Sequence, residues 1–378
     1  MSEFSTLESE EKPLKERTKE EYIARNTSKT HLNALLSDFS SKVDNLSINS
    51  NFELLEPLFY GMSKGVITLG ALSSLGKTTF YLQLADQLAS NQDRDIVYFS
   101  LEQSGKELVS KSLSRLTFLN ARRHKYSTNK AKYSSSILAT RLDEKANFKG
   151  FDAEENLLLH ESITQYEIIS NHLFIFEPSK DKLYLTIEDI EKQIKEHISA
   201  TGKAPIIFID YLQIIATNEA RLSDKQAIDI NISNLRKIAS IYDTLIFVIS
   251  SVSRANYYAS IDMASFKESG AIEYGSDILL GINFTAIEDE DNQKAQKKED
   301  TATIKKMIKD EKDRTPRRVF IEVLKNRNGR SGDKYYYHYY PEFNTFIELD
   351  QKGGSECLGL INTMLEKLNN TLDDTLPF

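Results

Sequence analysis

Short apolar runs alternate along this chain with longer stretches in which apolar positions recur every three or four residues. Val66, Ile67 and Leu69 form the first run, and Phe80, Tyr81, Leu84, Ala85 and Leu88 follow at helical spacing. A second run covers 95–102 and leads into helical pattern to about Leu119. A run at 172–177 precedes a helix from Thr186 with Ile187, Ile190, Ile194 and Ile198 on one side. The stretch 204–215 is apolar on both faces, as buried strands are. Ile232, Leu235, Ile238 and Ile241 then mark a helix that ends at Tyr242 and feeds a strand at 244–250. Further strands are expected at 277–283, at 318–325 and in two tyrosine-rich segments around 334–348. Strands alternate with helices over 65–283, which predicts an α/β fold: a mainly parallel sheet with helices on both faces.

The flanks read differently. Residues 1–28 are charged and poor in large apolar groups, the composition of a disordered or loosely helical segment. Within 29–50, Leu32, Leu35, Leu36, Phe39, Val43 and Leu46 share one helical face behind Thr30, an N-cap candidate. That stripe calls for burial, either on its own domain or on a neighbouring copy. The main domain is expected over 51–350. Inside it, 120–170 is polar with a basic run (Arg122, Arg123, Lys125, Lys130, Lys132) that reads as a solvated face. The charged stretch 287–316 reads as an inserted solvated helix or mobile loop. Residues 351–378 form a tail, with Gly353 and Gly354 as linker and Leu360, Ile361, Met364, Leu365 and Leu368 as a short amphipathic segment.

Composition narrows the class. The chain has 378 residues, 28% charged and 40% hydrophobic, enough for one large domain with appendages or two modest ones. No apolar run approaches the roughly 20 residues of a membrane helix, and the acidic N-terminus is unlike a secretory signal. Cys357 is the sole cysteine, so no internal disulfide forms and a reducing, cytoplasmic setting is expected. The six histidines lack metal-ligand spacing. A net charge of −8 argues against wrapping nucleic acid with the whole surface, while leaving room for a basic channel.

Candidate chemistry sits at 65–91, where a strand, a small-residue loop and a helix follow one another. The loop 71–78 ends Gly76-Lys77-Thr78. Such a P-loop surrounds a β-phosphate with backbone N–H groups and adds the positive end of a helix. Ala71 stands where the pattern usually has its first glycine, and Ser74, Gly76 and Thr79 complete the cradle. Lys77 would reach the β/γ-phosphates of ATP, and Thr78 would hold Mg²⁺ through its hydroxyl. Asp210 ends the buried strand at 204–210, the position from which a carboxylate orients Mg²⁺ and its waters. Glu102 ends a strand expected to lie beside the P-loop strand, and is the candidate to polarise the attacking water; its plain alternative is a surface carboxylate.

The segments SLGKTTF, YFSLEQ, IIFIDYLQII, ISSVSR, KESGAIEYGSD and LKNRNGRSGD, in that order over about 55–350, closely resemble the DnaB-type replicative helicase C-terminal domain, a RecA-like ATPase, in the style of phages and mobile elements. The resemblance implies Mg-ATP on Lys77, Thr78 and Asp210, with Glu102 catalytic. It makes Lys325 and Arg327 a finger acting on ATP held by the adjacent subunit of a homo-oligomer, a hexameric ring. It places Lys267, Glu268 and Gly270 in a channel loop on single-stranded DNA, with Arg254 and the loop 217–227 as weaker contacts. Unwinding 5′ to 3′ during DNA replication, with a primase or helicase loader as partner, is implied by the family alone.

Two departures stand out. Ser251 occupies a position where the family usually has a γ-phosphate-sensing glutamine, and only about 50 residues precede the ATPase where the family carries a folded collar domain. The helix at 30–46 fits the place of the family's linker helix, which packs on the next subunit. The last residues, with Asp373, Asp374, Pro377 and Phe378, resemble the acidic tip of bacterial single-stranded-DNA-binding proteins, which implies a partner that recognises such tips. The other functional class consistent with these features is a nucleotide-gated loader or sequestering protein with little unwinding.

Overall fold

The computed structural model describes residues 48–373, apart from 180–181, 219–221, 253–260, 267–269, 290–293 and 295–300, together with residues 28, 29, 32, 33 and 36. The chain divides into a unit of residues 1–47 and a unit of residues 48–378. In the first, the five described residues are helical and Leu32 and Leu36 are exposed. Thr30, Leu35, Phe39, Val43 and Leu46 lie outside the described residues.

In the second unit, nine described strands form one sheet in the order β3-β2-β4-β5-β1-β6-β7-β8-β9. The parallel strands are β1 (Gly65–Ala71), β2 (Ile96–Ser100), β3 (Leu173–Phe176), β4 (Ile206–Asp210), β5 (Leu245–Ser251) and β6 (Ile278–Phe284). Three antiparallel strands continue from β6: β7 (Arg317–Asn326), β8 (Lys334–Tyr340) and β9 (Thr345–Leu349). The helices are α1 (Lys77–Ser90), α2 (Gly105–Arg123), α3 (Ser134–Ala139), α4 (Ala153–Ser170), α5 (Ile187–Thr201), α6 (Asp224–Ile241), α7 (Gly270–Gly275), α8 (Thr301–Lys312) and α9 (Gly359–Asp373). Strands β1 and β4 are buried along their whole length, as parallel strands covered on both faces must be. Tyr81 of α1 meets Phe208 of β4 and Phe247 of β5 edge-on, while those two phenylalanines stack at 4.7 Å between centroids.

The structure corrects the sequence expectations at several points. Strand β2 does not neighbour β1, because β4 and β5 lie between them. These two strands carry unbroken apolar runs, Ile206–Ile209 and Leu245–Ile249, and lie in the middle of the six parallel strands, where both faces are covered. The polar stretch 120–170 contains an 18-residue helix, α4. Its buried side includes Asn156, Ser162 and Gln165, and Gln165 and Ser162 hydrogen-bond with Asn120 of α2, so the apolar period is blurred. The basic run is largely paired: Arg122 with Glu356, Arg123 with Glu161, Lys130 with Asp152 and Lys132 with Glu155. Ile241 is 66% exposed, one turn past the buried stripe of α6.

Within 287–316, α8 is amphipathic, with Ile304, Met307 and Ile308 buried and Glu311 paired to Arg318 at the start of β7. Much of 351–378 is no free tail either. Helix α9 buries Ile361, Met364, Leu365 and Leu368, and Asn369 bonds to Gln165 and Glu161 of α4.

Candidate nucleotide site

The C-terminal ends of the parallel strands share one edge of the sheet, the place where α/β folds bind ligands. At that edge Ala71 pairs with Ser251 on one side and Ile282 on the other. The P-loop leaves from there. Gly76 caps α1 in the left-handed region, with φ 85°, and a Cβ on it would lie 2.8 Å from the Tyr339 ring. Ser74 also has positive φ, at 68°. The Phe80 N–H donates to the Gly76 carbonyl at 2.8 Å and starts the helix.

A cavity of about 980 Å³ opens over this loop. Ala71, Ser74, Gly76, Lys77, Thr78, Thr79, Glu102 and Asp210 all line it, so the structure brings the predicted nucleotide residues together. Lys77 Nζ donates to the carbonyls of Ala71 at 2.9 Å and Leu72 at 3.5 Å. Burial lowers the pKa of this amine, and the carboxylates of Asp210 and Glu102 pull it back up. Asp210 is 3% exposed; burial raises its pKa, a hydrogen bond from Thr78 lowers it, and the nearby Glu102 raises it again. Two hard oxygen donors, the Thr78 hydroxyl and the Asp210 carboxylate, thus meet in a phosphate-sized cradle, a set that fits Mg²⁺ bound together with a nucleotide.

Glu102 reaches this cavity although its strand is remote from β1. Ser100 stands level with Asp210, and the Leu101 N–H donates to the Asp210 carbonyl at 2.9 Å. The turn therefore carries Glu102 along the strand ends into the opening. Ser251 also lines the cavity, and its N–H donates to Gln213 Oε1 at 3.1 Å. Gln213 Nε2 in turn donates to Ser250 Oγ at 2.9 Å, so a glutamine from the loop after β4 is bonded to the end of β5.

Among the lining residues that escaped the sequence reading are Arg317 and Tyr339. Arg317 donates from Nη1 to the Ser74 carbonyl at 3.0 Å, and its guanidinium lies 5.9 Å from the centroid of the Tyr339 ring. Both stand on antiparallel strands, and only the register of β7 and β8 shows that they reach the P-loop edge.

Lys325 and Arg327 are elsewhere. Asn326 pairs with Ile278, which pairs with Ile67 near the start of β1, so the end of β7 lies at the opposite edge of the sheet from the P-loop. There Lys325 Nζ donates to the carbonyls of Glu273 at 2.5 Å and Ser276 at 2.8 Å. Arg327 donates to the Tyr274 carbonyl at 3.0 Å and pairs with Asp277 at 3.3 Å. Both cations thus sit on the C-terminal end of α7, whose first residue is the exposed Gly270. Arg254, Lys267, Glu268, Asp374, Pro377 and Phe378 lie outside the described residues, and Asp373 is the last residue of α9.

A family model, the DnaB-like helicase C terminal domain, matches residues 47–348. The chain belongs to this family. Replicative DNA helicase DnaB of Helicobacter pylori is 27% identical over 305 residues, which cover 76% of this chain and 57% of that protein. A probable plasmid replicative DNA helicase of Chlamydia trachomatis is 26% identical over 226 residues, 59% of this chain and 44% of that one. The chain spans about half the length of the curated relatives it matches. Among solved structures, an isolated ATPase domain superposes with a TM-score of 0.65 at 21% identity, covering 86% of this chain and 99% of that domain. A DnaB-like replicative helicase, solved in a study of its interactions with primase, gives 0.63 at 20% identity, over 85% of this chain and 66% of that one. The fold is therefore the RecA-like ATPase core of this family.

Proposed function

We propose that this chain is an ATP-driven DNA helicase or translocase of DNA replication. Copies assemble into a ring, expected to be hexameric, that moves 5′ to 3′ on single-stranded DNA. One observation carries the reading: the P-loop and the Lys325/Arg327 pair occupy opposite edges of one sheet. A γ-phosphate on the P-loop is out of reach of the same chain's finger, and a second copy must supply it.

In this reading Lys77 exchanges the carbonyls of Ala71 and Leu72 for the β/γ-phosphates of ATP. The backbone of Ala71, Ser74, Gly76 and Thr79 cradles the phosphates, and Arg317 and Tyr339 flank the rest of the nucleotide. Thr78 and Asp210 would hold Mg²⁺, and the chemistry it would supply there is neutralisation of phosphate charge. Glu102 orients the attacking water. Lys325 and Arg327 place positive charge on the neighbour's γ-phosphate, and the planar guanidinium suits its oxygens. Gly270, with Lys267 and Glu268 before it, is assigned to the DNA backbone, with Arg254 as a further contact. Helix α7 then joins the DNA contact to the finger, since it begins at Gly270 and ends on Lys325 and Arg327. Asp373, Asp374, Pro377 and Phe378 are assigned to a partner that binds acidic C-terminal tips, and a primase or loader is the expected class of replication partner.

The test is ATP turnover with and without single-stranded DNA, followed by strand separation on a forked duplex. DNA-stimulated turnover with unwinding supports the motor. Stimulated turnover without unwinding favours the loader instead.

A further inference from the structure

Lys111 is not among the residues lining the cavity, yet its ammonium bonds to the side chain next to Glu102, which does line it. It stands on the second turn of α2. Helical side chains lean toward the N-terminus of their helix. Its ammonium accordingly reaches back and donates to Gln103 Oε1 at 2.6 Å. Burial lowers the pKa of Lys111, and the charges of Asp210, Glu107 and Glu102 raise it again. The same two carboxylates, Asp210 and Glu102, also raise the pKa of Lys77 in the P-loop.

The turn that bears Glu102 is otherwise fixed through its neighbours. The Leu101 N–H donates to the Asp210 carbonyl, Ser100 Oγ donates to the Gln103 carbonyl at 2.6 Å, and Ser104 closes a capping box with Glu107. These bonds set the backbone. Two like charges, Glu102 and Asp210, remain close enough to repel one another. Once Lys77 turns to the phosphates, its charge is shared with them, while Lys111 stays bonded to Gln103 beside Glu102.

We propose that Lys111 is a positioning residue for hydrolysis: by gripping Gln103, the residue next to Glu102, it keeps the Glu102 carboxylate aimed at the attacking water. This rests on the assignment of Glu102 above. The nucleotide itself is held by the P-loop, so loss of Lys111 acts on turnover and not on binding.

The experiment compares the full-length protein with Lys111→Met, Lys111→Arg and Glu102→Gln, measuring kcat and KM for ATP and the thermal midpoint. Lys111→Met keeps the length and removes the charge. It is expected to lower kcat by roughly ten- to a hundredfold, the scale of a misplaced catalytic group, with KM within about twofold of the parent. Lys111→Arg, which keeps a cation within reach of Gln103, is expected to restore most of kcat. Parental kcat in a folded Lys111→Met protein overturns the inference, as does a rise in KM that accounts for the whole loss, or an arginine variant as slow as the methionine one. If Glu102→Gln is inactive while Lys111→Met is normal, this inference alone fails. If Glu102→Gln turns over normally, the assignment of Glu102 fails and takes this inference with it.

Discussion

Arg317 and Arg327 stand at opposite ends of one strand. Arg317 opens β7 beside the P-loop and donates to the Ser74 carbonyl. Arg327 follows the strand's last residue and rests on the carbonyl of Tyr274, about 30 Å away at the rise of an extended chain. One strand thus contributes a cation to its own P-loop cavity and presents another at the far edge, where the proposed ring would bring a neighbouring copy's P-loop.

The near arginine is expected to act on binding. Arg317→Ala removes the bond to Ser74 and the cation over the Tyr339 ring, so KM for ATP should rise about tenfold while kcat changes little, given roughly 1 to 2 kcal/mol for such contacts. Steady-state kinetics decide this. A fall in kcat at constant KM would contradict it.

The buried pair between α1 and α2 should matter for stability. Arg115 pairs with Asp86 in the interior and also donates to the Asn344 carbonyl at 3.1 Å. Arg115→Ala leaves a buried carboxylate without its cation and is expected to cost about 3–5 kcal/mol, read by chemical denaturation. Replacing both members by apolar residues of similar volume should recover much of that loss.

Stability should also depend on pH through two glutamates, with opposite signs. Burial pushes Glu348 up to about 7, even though it accepts from the Leu54 and Leu55 N–H groups. The folded chain then holds a proton that the unfolded chain releases above its ordinary value near 4.5, so stability falls as pH rises from 4.5 to 7, by up to about 3 kcal/mol. Glu356 is partly buried, which raises its pKa, but bonds from His338, Arg122 and Tyr340 hold it at about 2. Its contribution is present above pH 4.5 and is lost as pH falls toward 2. Thermal midpoints from about pH 5 to 8 should decline for the parent and flatten for Glu348→Gln. Equal slopes in the two proteins would exclude Glu348 as the source.

The parts of the site that carry their own local pattern were legible in the sequence. Lys77 and Thr78 are marked by a strand, a turn and a change of period from run to 3.6-residue spacing, and Asp210 by its place at the end of a run apolar on both faces. The order of parallel strands leaves no local mark, so β2 was expected beside β1 and was found with two strands between them. Arg317 and Tyr339 belong to the site through antiparallel register, which nothing in their immediate neighbours announces. Helix α4 was hidden because Asn156, Ser162 and Gln165 are buried on its inner side and break the apolar stripe.

The most direct test mixes two inactive proteins. Lys77→Ala removes the phosphate lysine and Arg327→Ala removes the finger, and each alone should hydrolyse ATP poorly with and without single-stranded DNA. Combined and allowed to exchange subunits, they create interfaces in which an intact P-loop meets an intact finger, and ATP turnover is predicted to return. A mixture as inactive as its components, or an Arg327→Ala protein that hydrolyses ATP at the parental rate, would contradict a site shared between two copies of this chain.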